Sequence, residues 1–232
     1  MTGRRPWSGE DSEGLAAKLR DGHCRVGRSW GGIHSARWRA IEALDDDATI
    51  LDVGCSVGRY VEKLRARGRI AWGTDLLQDD AWSGSYFFRS DARALPLAAD
   101  SVDCIIAFEV LEHLPNPADC LREFRRVGRR KLVLSVPNCS VPEVMRRAGV
   151  TFHHWVDPTH VNHFTEESLL ELLSAEGFTV ESMRLVNPIR PELLVLSTWR
   201  VPVRLAAIAV RLLERVPWRV ECPMTILATA SI

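Results

Sequence analysis

Residues 50–60, Ile-Leu-Asp-Val-Gly-Cys-Ser-Val-Gly-Arg-Tyr, constrain this chain more than any other stretch. A short apolar run ends in Asp52-Val53-Gly54 and turns through small residues into a helical pattern from Tyr60 to Arg67. This is how a buried strand hands over to a helix in a nucleotide-binding α/β unit. Gly54 and Gly58 allow positive φ and close approach of the backbone to a ligand, and the helix that starts there presents free N–H groups to negative charge. The next apolar run, Ile70–Thr74, leads to Asp75, where the second strand of a βαβ unit finishes and an acid commonly holds a ribose diol. Ser90-Asp91-Ala92, Leu95-Pro96-Leu97 and the strand-like Cys104–Phe108 follow in that order.

From residue 50 to 136 apolar runs alternate with helical patterns, which predicts a mostly parallel α/β sheet with helices on both faces. Strands are expected at 49–53, 70–74, 86–89, 103–108 and 131–136, with two more at 178–187 and 224–232. Helices are expected over Ser35–Leu44, with Ser35 as the cap, and over Ala118–Val127, with Cys120, Leu121, Phe124 and Val127 facing inward. Thr165-Glu166-Glu167-Ser168 reads as a cap with acids in the first turn, and Gly177 as the stop. Leu15–Arg20 reads as a short helix after a polar tail.

The chain has 232 residues, 46% of them hydrophobic, enough for one large core and hence one domain. Thirty basic residues balance thirty acidic ones, so no overall charge draws the chain to nucleic acid or to an anionic membrane. Nucleic acid is therefore not the expected partner. The six cysteines form no Cys-x-x-Cys pair, which suits a reducing cytoplasm. Arg4 and Arg5 have no apolar run behind them, unlike a secretory signal.

The motifs ILDVGCSVG, GTDLL, SDARALPLAADSVDCIIAFEVLEHLPNP and KLVLSVPN run in order from residue 50 to residue 138 and resemble those of class I S-adenosylmethionine (SAM) dependent methyltransferases. The resemblance implies a Rossmann-like sheet ending in an antiparallel strand pair. It also implies a single domain over 1–232: N-terminal cap helices in 1–48, a SAM-binding core in 49–138, and substrate-side insertions at 139–164 and 190–222. Cofactor roles carried over fall on Asp52, Gly54, Ser56 and Gly58 around the first turn, on Asp75 and Leu76 beside the ribose, and on Asp91 and Ala92 beside the adenine. Ser56 stands where the family usually has glycine, and it is small enough to keep the turn. His34 and Arg37, on the helix before the first strand, are either contacts to the methionine carboxylate or plain surface residues.

Methyl transfer is an in-line displacement at an activated sulfonium carbon, so a hydroxyl acceptor needs alignment and a base or a metal. Glu109-Val110-Leu111-Glu112-His113 follows the fourth strand, at the carboxyl edge where open α/β sheets bind ligands. If the chain turns helically there, Glu109, Glu112 and His113 converge. Two carboxylates and an imidazole suit Mg²⁺ or Mn²⁺. The run resembles the E-x-x-E-H motif of ubiquinone-pathway O-methyltransferases and, with His160 before the Thr165 cap, that of small-RNA 2′-O-methyltransferases. That resemblance implies Glu109, Glu112, His113 and His160 as metal ligands. The other reading of the same residues is a metal-free site in which His113 or His160 is the general base and Glu109 assists. Asp157 is a further ligand, an orienter of a histidine, or the turn former before Pro158.

The acceptor that best suits such a site is a hydroxyl of a small molecule, sugar, glycolipid or quinol-like ring. No Asn-Pro-Pro-Tyr-like motif is present; the nearest pattern is Val136-Pro137-Asn138. Within 193–216, Arg200, Arg204, Arg211 and Arg215 share one helical face and Val201, Leu205, Ile208, Leu212 and Leu213 lie on others. This segment reads as a helix packed on the domain or in a homodimer, or as one lying at a membrane surface or lipid substrate, and it is too short to span a bilayer. A non-catalytic SAM-binding partner protein would be expected to lack Gly54, Asp75 or the Glu109–His113 run, and all are present.

Overall fold

The computed structural model describes residues 33–140, 142–147, 157–189, 196, 199, 201–213 and 222–232. The expected helix at Leu15–Arg20 lies outside them, as do His153, His154, Trp155 and Trp218. Among the described residues seven strands are formed: β1 Ile50–Val53, β2 Ala71–Asp75, β3 Phe87–Arg89, β4 Val102–Phe108, β5 Gly128–Pro137, β6 Thr179–Ile189 and β7 Cys222–Ser231. They build one sheet in the order β3-β2-β1-β4-β5-β7-β6. The first five are parallel, and β7 runs antiparallel between β5 and β6. This is the expected Rossmann-like architecture.

The short central strands β1 and β4 are apolar except at Asp52 and Asp103 because both faces are covered. Leu51, Val53, Ile105 and Ala107 pack into one cluster with Leu121 and Phe124, while Ile50, Cys104 and Ile106 pack into another with Ile41, Val61 and Leu64. A parallel sheet stripped of either layer would expose such residues, of which each valine, leucine, isoleucine or phenylalanine gains about 1.5–3 kcal/mol from burial.

The helices are α1 Ser35–Glu42, α2 Arg59–Arg65, α3 Pro117–Val127, α4 Glu143–Arg147, α5 Glu166–Ala175 and α6 Val203–Leu213. Pro117 opens α3, where a missing N–H costs nothing. One expectation needs correction. Ser35 is the first helical residue of α1 rather than its cap; His34 holds that position and makes no side-chain capping bond. The stretch 139–164, expected as a substrate-side insertion, contains the short helix α4. At α5, by contrast, Thr165 Oγ1 accepts from the Ser168 N–H at 3.3 Å and Ser168 Oγ accepts from the Thr165 N–H at 2.9 Å, a capping box with serine in the returning position.

The strand order reverses between β1 and β4, so the carboxyl ends of β1, β2, β4 and β5 open a crevice at the topological switch point. Among the described residues no helix is long and apolar enough to cross a membrane.

Candidate active site

At the end of β1 the chain takes three left-handed residues, Gly54 at φ 75°, Ser56 at φ 48° and Gly58 at φ 77°. The Gly54 and Cys55 N–H groups both donate to Thr74 O, at 2.8 and 3.0 Å, which ties the turn to β2. A Cβ on Gly54 would lie 2.4 Å from Val110 Cγ2, so only glycine lets the turn after β4 approach this closely. Asp75 accepts from the Ser56 N–H at 2.8 Å through Oδ2 and from the Leu77 N–H at 3.1 Å through Oδ1. Trp82 lies against the same turn, its indole N–H donating to Ser56 O at 2.6 Å and its ring stacking on Phe87.

Asp52 is 2% exposed and its Oδ2 has no hydrogen-bond partner. Burial, followed by the Asp75 charge, pushes its carboxyl well above the usual range, and Arg37 opposes that shift. Arg37 reaches in from α1, pairs with Glu109, and keeps a buried Nε without a partner; the ring of Phe108 lies beneath its guanidinium. His34 is nearby: its Nδ1 is buried without a partner, and burial and then the Arg37 charge lower its pKa.

After β4 the backbone does not turn helically from Glu109 onward. Glu109 itself sits at φ 57°, and a single 3₁₀ turn covers Leu111–His113. The two carboxylates consequently take different partners. Glu109 is held by Arg37 and by Ser135 Oγ, which donates at 2.9 Å, whereas Glu112 is buried with neither carboxylate oxygen hydrogen-bonded. Burial and then the Glu109 charge hold the Glu112 carboxyl well above its ordinary range. One ligand-type atom from each of Glu112, His113 and His160 lies within 4.8 Å of the others, and Glu109 is not in that group.

The imidazoles are positioned by the segment before α5. His113 Nδ1 lies 3.1 Å from Thr159 O, and the His113 and His160 rings meet edge-on at 4.8 Å between centroids. A carbonyl can only accept, so this contact assigns the proton to Nδ1. Val161 and Asn162 N–H groups both donate to Glu112 O, at 2.8 and 3.1 Å, which fastens the two segments together. Asp157 accepts from the Thr159 N–H at 2.8 Å and its hydroxyl at 2.6 Å, the arrangement of a turn former; its Oδ2 lies 3.9 Å from His160 Nε2.

A family model described as a methyltransferase domain matches residues 32–183. The chain belongs to the methyltransferase-domain family. Solved structures share its fold: a SAM-dependent methyltransferase from Archaeoglobus fulgidus has a TM-score of 0.61 at 18% identity, covering 85% of this chain and 92% of its own. A putative methyltransferase from Bacillus halodurans has a TM-score of 0.58 at 17% identity, covering 86% and 99%. A SAM-dependent methyltransferase from Mesorhizobium loti has 0.56 at 19%, covering 85% and 98%. None of the curated proteins compared matches the chain.

The residues of this methyltransferase fit SAM by chemistry. The methionine end carries an ammonium and a carboxylate, and the crevice offers an acid with an unpartnered oxygen, Asp52, beside a guanidinium with an unpartnered nitrogen, Arg37. Asp75 and Leu76 stand at the end of β2 and Asp91 and Ala92 in the turn after β3. Asp91 is gripped by Arg93, whose Nε and Nη2 donate to its two oxygens at 2.8 and 2.6 Å. The sequence reading missed this clamp, although Asp91 and Arg93 are two residues apart. It also missed Thr159, whose contribution is a main-chain oxygen that no side-chain motif reports.

Proposed function

We propose that this methyltransferase transfers the methyl group of SAM to a hydroxyl of a small-molecule or glycan acceptor, and that Glu112, His113 and His160 activate that hydroxyl. Family membership supports the SAM dependence. The acceptor reading rests on one observation: a buried carboxylate with both oxygens unpartnered beside two imidazoles at the carboxyl edge of β4.

Asp52 and Arg37 would hold the methionine end, the Gly54-Ser56-Gly58 turn would follow the cofactor backbone, Asp75 with Leu76 would meet the ribose, and Asp91 with Ala92 the adenine. SAM supplies a methyl group already activated on a sulfonium, which leaves the protein to align the acceptor and receive a proton. Glu112, His113 Nε2 and His160 offer mixed oxygen and nitrogen ligands suited to Mg²⁺ or Mn²⁺, an ion that would supply Lewis acidity to an acceptor with vicinal oxygens, as in a sugar or catechol. Glu109, turned toward Arg37, would position the cofactor side rather than the ion. In a metal-free variant of the same reading, His113, oriented by the Thr159 carbonyl and beside the buried Glu112, would take the hydroxyl proton.

The test is formation of S-adenosylhomocysteine by chelator-stripped protein with diol acceptors, with Mg²⁺ or Mn²⁺ added back, for wild type, Glu112→Gln and His113→Ala. Turnover restored by the ion in wild type and in neither variant supports metal assistance. Turnover indifferent to chelator yet lost in His113→Ala supports the histidine base. Methylation of amines alone would refute the hydroxyl reading.

A further inference from the structure

We propose that α6 docks the protein onto the surface of an anionic bilayer, lying in the headgroup plane with Leu205, Ile208 and Leu212 at the acyl boundary and Arg204 and Arg211 on lipid phosphates. Leu205, Ile208 and Leu212 are 58%, 56% and 60% exposed, while Ala206 and Val210 are 4% and 5% exposed and anchor the opposite side of the helix. At 3.6 residues per turn the three large apolar side chains fall within about 60° of one another, and Arg204 and Arg211 lie about 20° apart along one border of that arc. Trp199, just before the helix, is 73% exposed.

Charge decides what covers this face. Residues 193–216 hold Arg200, Arg204, Arg211 and Arg215 against one acid, Glu214, in a chain whose thirty basic and thirty acidic residues balance overall. A second copy laid over the same face would set arginines against arginines with no carboxylate on the helix to receive them. An apolar row bordered by charge of a single positive sign suits a headgroup layer, where phosphates take the guanidinium groups and the apolar side chains pass below. The location is also suitable. Ile189, at the end of β6, pairs with Cys222, and Pro137, at the end of β5, pairs with Thr225. The connection that carries α6 therefore leaves the sheet at the same carboxyl edge as Glu109 and Glu112. Docking does not depend on the acceptor proposed above.

Flotation of the full-length protein with vesicles tests this directly. Vesicles of phosphatidylcholine mixed with phosphatidylglycerol should carry the protein, pure phosphatidylcholine vesicles at least about tenfold less, and added salt should release it. The pair Arg204→Gln with Arg211→Gln should weaken partition on the order of 25-fold, from about fivefold for each arginine at the surface. The triple change of Leu205, Ile208 and Leu212 to Gln should abolish it while leaving the melting temperature and circular dichroism unchanged, because these side chains lie outside the core. Failure to float with anionic vesicles overturns the proposal, as does flotation that survives the triple change. So does a vesicle-free dimer in sedimentation velocity that the triple change dissolves, since a second copy would then occupy the face.

Discussion

Gly54→Ala tests whether the Gly54–Gly58 turn and the Glu109–His113 turn are packed as one unit. Two costs can be separated. The residue sits at φ 75°, where an L side chain loses about 1 kcal/mol, and the added methyl would stand 2.4 Å from Val110 Cγ2. To reach an ordinary contact, Val110 must move by roughly 1 Å, an overpacking that costs about 1–3 kcal/mol. Gly54→Ala alone should therefore destabilise by about 2–4 kcal/mol. In a Val110→Ala background the Cγ2 atom is gone and the next atom, Cβ, lies at 3.7 Å, so only the backbone cost remains. Urea denaturation of wild type, both single variants and the double variant should give a coupling of about 1–3 kcal/mol at constant m-value. A coupling below about 0.5 kcal/mol would refute the contact. Because Val110 lies between Glu109 and Leu111, the single Gly54→Ala change should also perturb the Glu112–His113 group, visible as a changed imidazole shift in nuclear magnetic resonance.

Removal of the guanidinium in Arg37→Ala should weaken SAM binding about 10–100-fold, the range for a lost hydrogen bond to a charged group, measured by calorimetry; unchanged affinity would take Arg37 out of the cofactor site. Asp103 accepts from the Thr49 N–H at 3.0 Å and its hydroxyl at 2.8 Å, and the Thr49 N–H bond first, helped by the Thr49 hydroxyl and Arg129, keeps its pKa below the ordinary value. A depressed carboxylate stabilises the fold above its unfolded pKa and loses that contribution as pH falls through the folded one. Asp103→Ala should therefore cost about 2 kcal/mol near neutral pH, and the gap from wild type should close in acid, below roughly pH 4. A gap that stays constant into acid would show that packing, not the charge, is responsible.

Most of the fold was legible because it rests on patterns of local sequence. The runs Ile50–Val53 and Cys104–Phe108 are apolar at every position except Asp52, which fits strands buried on two faces, and the switch to helical spacing after Gly58 fixes the connection. The elements that flank the crevice were legible for the same reason. What escaped depends on backbone state or on contacts distant in sequence. Nothing in Glu109-Val110-Leu111-Glu112-His113 announces that Glu109 takes a left-handed conformation, yet that one dihedral sends its carboxylate to Arg37 and Ser135, while Glu112 remains beside His113. The Thr159 carbonyl that orients His113 comes from 46 residues away. The exposure of Leu205, Ile208 and Leu212 was equally hidden, because a helical wheel gives the faces of α6 but not which of them is buried.

The most direct test of the central assignment is a calorimetric titration of SAM into the full-length protein, repeated with Asp52→Asn and Asp75→Ala. Saturable binding of one SAM per chain, weakened in both variants, is the expected result. Absence of binding in the wild type, or binding that neither substitution weakens, would contradict a cofactor site built on the Asp52–Gly58 turn.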